Sequence, residues 1–493
     1  MKLALVFNPF KYKVHEENLR IVQKYFGLFP PLSLAWVAAI ARRAGHEVIL
    51  IDARTLNLSK ADVLNRLKSF GPDIMGFMMT TYMFPDTLEW IRYLKKGLDI
   101  PVLIGGYNLR VYPEASLSHS EIDYGVVEHA LHTVPALLAA LEEKGNLAEV
   151  PGLVYKEDDQ IIQTPGKPVN FDEFPNPARD LLPNELYAEF PTERKNFTVM
   201  VTSLGCPYGC IFCEAGRTPY NPRNPKTVVD EMQECAEQYG VREIDIFDYS
   251  FTADKKRTIE ICREMQNRKL GLLWACRSRI DIDEELLEEM KKAGCGRIYY
   301  GIESGSQKIL DKINKGITLQ QVKKTIKNTR KRGIKALGFF LVGAPGETRQ
   351  TVKRTVKFAK TQDLEYVQFS KCLAKPLTPL WEQMVRDRGR DYWKDWICGN
   401  EGDRPLPRPW TKLTNEEIDR LTRWAYVQYH SRFFFLLKAT LQVKSFSEFK
   451  RKFLGFLEMR FSQEDFSKED ENFSAYNEGK RRLDFYKKIA KYK

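Results

Sequence analysis

The sequence predicts an α/β protein made of a doubly wound parallel sheet, a partial (β/α)6 barrel of the TIM type and a mostly helical C-terminal region. Short apolar segments alternate with helical periodicity over residues 1–145, and six strand–helix units follow over residues 196–380. Residues 381–493 show helical periodicity without strands between the helices. Because six units are fewer than the eight of a closed barrel, we expect one side of the barrel to be open.

The composition is that of a globular protein with several domains. The 493 residues are 43% hydrophobic and 29% charged, which is typical of chains that form two to four packed domains. The sequence contains no run of about 18 apolar residues, the length that a membrane span needs. The apolar segment after Lys2 is too short for a secretory signal. Nine cysteines, an odd number, argue against a disulfide framework. We therefore expect a protein of the reducing cytoplasm.

The net charge of +12 raises the question of a nucleic-acid partner. Residues 411–493 hold 18 Lys and Arg against 12 Asp and Glu, so half of the surplus lies in the last sixth of the chain. We interpret the surplus as a property of this tail and do not expect a nucleic-acid partner.

The first part, residues 1–145, has the rhythm of a parallel sheet. Its predicted strands are residues 3–7, 48–51, 74–78, 102–104 and 124–127, and its predicted helices are residues 34–44, 60–69, 85–96 and 133–144. Sheets of this kind bind ligands outside the carboxyl ends of their strands. The loops after the strands are therefore where we expect a binding site.

Residues 146–195 are predicted to connect the sheet to the barrel. Residues 152–164 suggest a small hairpin, and a strap follows that contains the prolines Pro165, Pro168, Pro175, Pro177 and Pro183. Proline restricts the unfolded chain and favours an extended strap.

Residues 196–380 contain the six units of the predicted barrel. The strands are expected at residues 197–202, 243–247, 272–276, 297–301, 336–342 and 366–372, and the helices at 227–239, 254–267, 284–293, 319–332 and 349–361. Chemistry in barrels takes place at the carboxyl ends of the strands, where polar residues cluster in this sequence.

Three cysteines follow the first of these strands directly. Cys206, Cys210 and Cys213 are spaced C-x3-C-x2-C, with Phe212 just before the third. Thiolates are soft ligands that hold iron–sulfur clusters, and three of them leave one iron of a cubane open. The alternatives are a zinc knuckle or three unconnected cysteines, although zinc would need a fourth Cys or His nearby.

The cysteine spacing and the barrel resemble the radical S-adenosylmethionine (radical SAM) superfamily. The resemblance implies a 4Fe–4S cluster on the three cysteines, with S-adenosylmethionine bound to the open iron and reductively cleaved there. Further residues fall at positions where this family contacts S-adenosylmethionine, namely Asp248, Arg277, Arg279, Glu303, Ser304 and Gly343. Among these, Asp248 would contact the methionyl amino group and Glu303 the ribose. Either arginine would bind a carboxylate, and the motif around Gly343 would support the adenine.

Several phrases of the first part resemble the cobalamin-binding domain that precedes the barrel in one branch of that superfamily. They are the segments 30–35, 44–48, 51–52 and 104–106. The residues that the resemblance assigns to cobalamin are Ser33, Asp52, Arg54, Thr80, Thr81, Gly105, Gly106 and Glu128. The two glycines would allow close approach of the backbone to the cofactor.

The sequence also departs from that branch. Arg54 stands where the D-x-H-x-x-G motif of other cobalamin domains has its cobalt-binding histidine, and a guanidinium cannot ligate cobalt. Tyr107 and Asn108 replace the Pro-His that relatives often show, and Glu128 begins a sequence without the usual acidic Gly-Glu-Gly. A cobalamin domain without a protein ligand, or a domain that keeps the fold and binds no cobalamin, both agree with this pattern.

Tyr249 and Cys372 are further candidates for a catalytic role. Tyr249 follows the second barrel strand beside Asp248, and Cys372 closes the sixth strand, where we expect it to face the cavity. The other cysteines considered, Cys235, Cys262, Cys276 and Cys295, are interpreted as small buried hydrophobic residues. His129 and His132 lie three residues apart and lack a third ligand, so we interpret them as surface or capping residues.

The C-terminal region opens with an aromatic, proline-rich crossing and continues with a predicted helix over residues 415–437. Residues 431–438 form the most hydrophobic patch of the chain. A second helix carries the apolar positions Phe446, Phe449, Phe453, Phe456 and Leu457. Such stripes usually pack into a core, here over the open side of the barrel. A basic amphipathic helix at a membrane surface is the alternative.

The resemblance implies an anaerobic enzyme that generates a 5′-deoxyadenosyl radical and modifies an unactivated carbon, by cobalamin-dependent C-methylation. One alternative is a cobalamin-free radical cyclisation, coupling or rearrangement of a lipid or natural product. Another is an iron–sulfur sensor or a nucleic-acid-binding module. The implied partners are a small-molecule or lipid substrate and a low-potential electron donor such as flavodoxin or ferredoxin.

Overall fold

The structure, a computed structural model, describes residues 1–10, 27–189, 191–194, 196–400 and 406–432. The strands are β1 (Lys2–Phe7), β2 (Gly27–Leu28), β3 (Glu47–Asp52), β4 (Ile74–Met78), β5 (Val102–Gly105), β6 (Tyr124–Val126), β7 (Leu153–Glu157), β8 (Gln160–Gln163), β9 (Ala188–Glu189), β10 (Phe197–Met200), β11 (Ser203–Leu204), β12 (Asn221–Pro222), β13 (Glu243–Ile246), β14 (Leu273–Ser278), β15 (Cys295–Glu303), β16 (Lys335–Val342) and β17 (Tyr366–Lys371).

The helices alternate with these strands, as the apolar periodicity predicts. The α-helices are Leu32–Arg43, Lys60–Phe70, Phe84–Lys95, Tyr107–Val111, Pro113–Leu117, Ala130–Glu143, Pro225–Gln238, Lys255–Asn267, Glu284–Lys292, Gln307–Lys312, Leu319–Lys331, Arg349–Thr361, Pro379–Arg388, Tyr392–Ile397 and Asn415–His430. Several begin at a Ser or Thr whose side chain accepts a backbone N–H, as Ser59 and Thr318 do.

The N-terminal sheet has the strand order β3-β1-β4-β5-β6-β7-β8. The strands from β3 to β6 are parallel, whereas β7 and β8 add an antiparallel hairpin at the edge next to β6. Helices Leu32–Arg43 and Ala130–Glu143 pack on one face, and Lys60–Phe70 and Phe84–Lys95 pack on the other. The predicted doubly wound sheet is confirmed.

The second sheet is all parallel, in the order β10-β13-β14-β15-β16-β17. This is the predicted six-stranded partial barrel. Its outer helices bury one apolar side against the strands, through residues such as Val322 and Val356. Parallel strands place all their carboxyl ends at one edge, so the loops after β10, β13, β14 and β15 come together there.

The connector is tied to both sheets. The hairpin of β7 and β8 extends the N-terminal sheet, and the short strand β9 pairs with β2. Glu189 of β9 then reaches the barrel interior, where the hydroxyl of Tyr299 donates to it at 3.3 Å. Burial and the neighbouring carboxylate of Asp245 raise the pKa of Glu189 well above its ordinary value.

The described residues of the C-terminal region pack in two places. Trp393 and Ile397 join the hydrophobic cluster under the helix Phe84–Lys95 of the first part. The helix Asn415–His430 covers the barrel edge at β17 through Ile418 and Tyr426. The domain boundaries at residues 145, 195 and 380 stay predictions, and the phenylalanine stripe at 446–457 lies outside the described residues.

A buried charge network joins the connector to the barrel. Arg179 donates to Glu231 at 2.8 Å, and Arg223 binds the other oxygen of the same carboxylate. Burial opposes the charge of Glu231, but the two guanidinium groups outweigh it and lower the pKa of this carboxyl. One carboxylate thus binds two buried arginines.

We expect Glu231→Gln to destabilise the protein by about 3–5 kcal/mol, because it leaves two buried guanidinium groups without a counter-charge. The shift of the denaturant unfolding midpoint measures this cost. The exposed Glu237, two helical turns further on, provides the control, and Glu237→Gln should change stability by less than about 0.5 kcal/mol. Equal midpoints for the two variants would contradict a supporting role for the network.

Candidate active site

The three predicted cysteine ligands lie in one loop that is closed by a short antiparallel pair. Ser203 of β11 is opposite Pro222 of β12, so the chain leaves and returns at the same place. Gly205 opens this loop with φ +70°, and a Cβ at this position would lie 2.0 Å from the carbonyl oxygen of Pro219. Only glycine fits there.

The thiols interact with one another across the loop. Cys210 is buried, whereas Cys206 and Cys213 are partly exposed, and each of the latter two thiols interacts electrostatically with Cys210. Burial raises the pKa of Cys213 to about 11 and also raises the pKa of Cys206. The bare thiols of Cys206 and Cys213 are therefore protonated at neutral pH, and metal binding must release their protons.

A turn after the helix Gln307–Lys312 supports the cysteine loop. The amide N–H of Ile211 donates to the carbonyl of Ile313 at 3.2 Å, and the Asn314 side chain donates to Gly209 at 2.8 Å. Arg279 links the two segments, because it donates to the Cys210 sulfur at 3.5 Å and to the carbonyl oxygen of Lys315. A positive charge next to a sulfur stabilises its thiolate.

Glu303 lies at the carboxyl end of β15 in an unusual backbone conformation. Its φ is +67°, and the pairing of β15 with β16 shifts register between Gly301 and Glu303. The carboxylate accepts from Lys315 Nζ at 2.7 Å, and both side chains are over nine-tenths buried. A non-glycine residue held at positive φ is strained, which is common at functional sites.

Asp248, at the end of β13, is fully buried. Its two oxygens accept from the backbone and hydroxyl of Thr202 at 2.6 Å and from the hydroxyl of Ser203 at 2.7 Å. Asp248 therefore fixes the start of the cysteine loop against the neighbouring strand. The predicted contact with an amino group stays a prediction.

Arg277 faces the barrel interior. It donates to Asp245 at 2.8 Å and lies 3.6 Å from the ring centre of Phe247. Ser304 is buried at 1% exposure, shares a hydrogen bond with the hydroxyl of Thr355, and so packs behind the strand end. Gly343 has φ +84° in the turn after β16.

A residue of the N-terminal part reaches the cysteine loop. The Tyr107 hydroxyl donates to the carbonyl of Pro376 at 3.1 Å, and the phenol interacts electrostatically with Glu214 and Cys213. Tyr249 contacts the same group of residues, since its hydroxyl lies 3.4 Å from a Glu214 oxygen. Tyr249 is nevertheless 49% exposed, so it lines an open space. The two parts of the molecule thus meet beside Cys213.

The residues assigned to cobalamin follow the carboxyl ends of their strands, at one edge of the N-terminal sheet. Gly106 has φ +128°, and a Cβ there would lie 2.4 Å from the carbonyl oxygen of Met79. Gly105 has more room, with 3.8 Å to the nearest atom. Thr80 is half-buried and Thr81 is buried.

The other residues assigned to cobalamin differ in their surroundings. Asp52 is buried and accepts from the amide of Thr55 and the hydroxyl of Tyr187, so it anchors the loop after β3. The guanidinium of Arg54 lies 4.8 Å from the Phe10 ring centre. Ser33 and Glu128 are exposed.

The comparisons with known proteins identify both parts of the chain. Residues 200–359 match the radical SAM superfamily, and residues 20–138 match the B12 binding domain. An uncharacterized methyltransferase of Pyrococcus horikoshii is 33% identical over 474 residues, which cover 94% of this chain and 99% of the relative. The chain belongs to the radical SAM superfamily.

Two further similarities agree with this assignment. An anaerobic magnesium-protoporphyrin IX monomethyl ester cyclase of Rubrivivax gelatinosus is 30% identical over 373 residues, 73% of this chain and 67% of its own. The structure of the radical SAM methyltransferase TsrM from Kitasatospora setae matches with a TM-score of 0.68 at 19% identity, over 93% of this chain and 99% of that one. The likeness to TsrM supports the fold of this chain. The predicted family, the α/β architecture and the cofactor set of that family are confirmed.

The cysteine loop of this radical SAM protein fits an iron–sulfur cluster. Three thiols lie in one loop that the pair of β11 and β12 closes and Arg279 supports. Among the described residues, no group of three or more His, Cys, Asp or Glu could hold a single metal ion. Separate irons of one cluster do not require the thiols to meet at one point.

The edge of the B12-binding part offers unsatisfied polar groups to a ligand. Asn8 Oδ1, Thr55 Oγ1 and Thr81 Oγ1 are buried, and none of them has a hydrogen-bond partner within the described part of the protein. Buried polar atoms of folded proteins are nearly always paired. These three follow β1, β3 and β4, so they fit the polar side groups of a cobalamin bound at this edge.

Some residues near the cysteine loop of the radical SAM protein were not predicted. Lys315, which pairs with Glu303, follows a helix without any motif of its own. Glu214 directly follows the third cysteine, and no pattern in the sequence indicates its interaction with Tyr249. Tyr107 stood out in the sequence only as a departure from related cobalamin domains.

Several other residues that the sequence singled out in this radical SAM protein pack among protein side chains. Cys372 is buried in the hydrophobic cluster that contains Trp393. Cys235, Cys262, Cys276 and Cys295 are all buried, as predicted. His129 packs edge-on against Phe174, at 6.2 Å between ring centres. No helix in the described ranges is long and apolar enough to cross a membrane.

Glu303 gives a test of S-adenosylmethionine binding. If its charged oxygens accept from the ribose, Glu303→Gln should weaken binding by about 1.5–3 kcal/mol. Equilibrium dialysis with the reconstituted protein measures the affinity. The exposed Glu260 on an outer helix of the barrel gives the control variant Glu260→Gln. An affinity of Glu303→Gln equal to that of the control would remove Glu303 from the binding site.

Proposed function

We propose that this radical SAM protein transfers a methyl group to an unactivated carbon of a small molecule, with cobalamin as the methyl carrier. One observation carries the proposal. Tyr107, the first residue of a helix of the B12-binding part, donates to the carbonyl of Pro376 at 3.1 Å and interacts electrostatically with Glu214 of the cysteine loop. This contact supports an arrangement in which the two predicted cofactor sites open into the same space, as a transfer between them requires.

The cofactors carry the difficult chemistry when bound: the cluster supplies an electron, S-adenosylmethionine a 5′-deoxyadenosyl radical, and cobalamin a methyl group. Cys206, Cys210 and Cys213 would hold the cluster. Arg279 would stabilise the sulfur of Cys210, and Lys315 holds the carboxylate of Glu303 in position for the ribose.

The N-terminal residues would hold cobalamin at the edge of their sheet. Gly105 and Gly106 let the cofactor approach the backbone, and the unpaired hydroxyl of Thr81 would bind its polar groups. Arg54 cannot ligate cobalt, so this position would supply no ligand to the metal of the cofactor. Tyr107 and Tyr249 would enclose the space between the two sites and exclude water from it.

The barrel interior would receive the substrate. Arg277, Phe247 and Tyr299 present a cation and two aromatic rings to this interior, where the guanidinium lies 3.6 Å and 5.0 Å from the ring centres. These groups suit a compact molecule with both polar and aromatic or unsaturated parts. The proposal also includes a lipid as substrate and attachment of the tail to a membrane. The tail residues that would make this attachment lie outside the described ranges.

A second candidate function is radical cyclisation. The relative from Rubrivivax gelatinosus is a cyclase and is 30% identical to this chain, whereas the relative from Pyrococcus horikoshii, at 33%, is a methyltransferase. The two activities differ in what the product gains. Methylation adds a carbon from S-adenosylmethionine, whereas cyclisation removes hydrogen and adds no carbon.

The test uses the anaerobically reconstituted protein with cobalamin, dithionite and S-adenosylmethionine that carries a trideuterated methyl group. The substrate pool is a metabolite extract from cells that lack the gene. We expect 5′-deoxyadenosine together with one product that carries the deuterated methyl group. A new product that forms without the label and with fewer hydrogens would favour cyclisation instead. Absence of 5′-deoxyadenosine under all these conditions would refute the enzyme function.

A further inference from the structure

Two neighbouring helices on the outside of the barrel are rich in lysine and arginine and contain no acidic residue. Leu319–Lys331 lies between β15 and β16, and Arg349–Thr361 lies between β16 and β17. Residues 319–360 contain 12 Lys and Arg but only one acidic residue, Glu347, which is buried. The surplus in this segment is nearly as large as the net charge of +12 of the whole chain.

The cations of these helices point outward. Val322, Ile326, Val352 and Val356 form the apolar sides of the helices and are buried in the barrel core. Seven exposed cations make up the opposite side, which we call the basic face: Lys323, Lys324, Lys327, Lys331, Lys353, Arg354 and Lys357.

Within the described ranges, none of the seven forms an ion pair. Other cations of the same helices do, for example Arg330 with Asp363 and Arg349 with Glu417. Unpaired like charges on adjacent helices repel one another and weaken the fold slightly. A surface of this kind is favourable where an acidic partner neutralises it.

The basic face begins beside the cysteine loop. Both helices start at the carboxyl edge of the barrel, where this loop lies. Asn314, four residues before Thr318 caps the first helix, donates to Gly209 of the loop at 2.8 Å. Pro207 and Gly209 are exposed, so the outer side of the cysteine loop is open to a partner that rests on the basic face.

We infer that the basic face docks an acidic one-electron carrier protein, which reduces the cluster held by the cysteine loop. The inference rests on the proposed function, because that function requires an electron at the cluster. In this step the carrier loses one electron and the cluster gains it, without a bond or a proton being transferred. Charge complementarity of this kind raises association rates by about 10- to 1,000-fold at low salt.

An anionic membrane is the competing occupant. Helices that lie in a membrane interface insert an apolar side into the lipid. Here the apolar sides of both helices are already buried in the barrel core. Lipid attraction through the cations alone would not explain why the face adjoins the cysteine loop.

The test compares two triple variants of the reconstituted holoprotein with the same change in charge. The first replaces Lys323, Lys324 and Lys327 by Glu. The control replaces Lys226, Lys256 and Lys269 by Glu, three exposed cations on the other side of the barrel. The formation of 5′-deoxyadenosine is followed at low salt, once with a reduced acidic flavodoxin as donor and once with dithionite.

We expect the first variant to lose at least about 10-fold of its rate with flavodoxin, to keep its rate with dithionite, and to resemble the wild type at high salt. The control variant should keep both rates. A flavodoxin rate equal to that of the control would overturn the inference, and so would an equal loss with dithionite. Binding to anionic liposomes that only the first variant loses, with unchanged flavodoxin rates, would assign the face to a membrane instead. No cleavage by the wild type with dithionite would refute the proposed function itself.

Discussion

Replacement of Cys206, Cys210 or Cys213 by alanine is expected to abolish the cluster and S-adenosylmethionine cleavage together. Each thiol would bind a different iron, and nothing in the described surroundings of the loop replaces a lost ligand. Cys210 is buried next to Arg279, so its removal also leaves a buried guanidinium without its sulfur partner. We expect cleavage to fall to the background of the cluster-free protein in all three variants.

Iron and sulfide content, the visible absorbance of the cluster, and 5′-deoxyadenosine formation check this prediction. Cys398 is exposed, and Cys398→Ala provides a control that should retain all three properties. Cys262 is a less suitable control, because its replacement would leave a small cavity in the core. Normal cleavage by any one of the three loop variants would show that the cysteine loop is not the cluster site.

Replacement of Gly106 by valine is expected to remove cobalamin binding while S-adenosylmethionine cleavage persists. The backbone at Gly106 has φ +128°, and a new Cβ would lie 2.4 Å from the carbonyl oxygen of Met79. A β-branched residue is strained in this conformation, and relief of the strain must move the loop that carries Tyr107. We expect cobalamin affinity to fall by at least about 100-fold, or about 2.7 kcal/mol.

The corrin absorbance that remains after gel filtration measures binding, and dithionite-driven cleavage reports on the barrel. The variant Gly105→Ala tests contact with the cofactor without a clash inside the protein, because the nearest protein atom would lie 3.8 Å from the added Cβ. Loss of cobalamin in this second variant would place the cofactor directly on the glycine. Full cobalamin binding by Gly106→Val would move the cofactor away from this edge of the sheet.

The fold could be predicted from the sequence because its strands are short, apolar and regularly spaced. The runs at residues 74–78 and 197–202 are mostly apolar segments between polar turns, and they became the central strand β4 and the first barrel strand β10. The cysteine loop could also be recognised, since its spacing is local. Its members lie within eight residues of one another.

The rest of the site depends on geometry that a sequence does not display. The pair Glu303–Lys315 needs a register shift in β15 and a positive φ at Glu303, which no propensity indicates. Cys372 follows the last strand and was expected to face the cavity, yet it packs under Trp393 because the chain turns over the first sheet at this point.

The basic face could have been predicted from the sequence, because it follows from the distribution of charge along the chain. The charge of the tail alone accounts for half of the positive surplus, in residues 411–493. A count along the whole chain would have shown the richer segment at residues 319–360. The structure adds that the two helices of this segment are neighbours and that the segment begins beside the cysteine loop.

The packing of Trp393, Ile397 and Trp410 against the N-terminal part bears on the order in which the protein can fold during synthesis. Trp393, Ile397 and Trp410 share one hydrophobic cluster with Phe84 and Ile91 of the first part. These late residues leave the ribosome only after the entire barrel has been made. Until then the outer face of the helix Phe84–Lys95 stays uncovered, and such surfaces are prone to aggregate or to recruit chaperones. Segments that are made after the barrel therefore complete the core of the part that is made first.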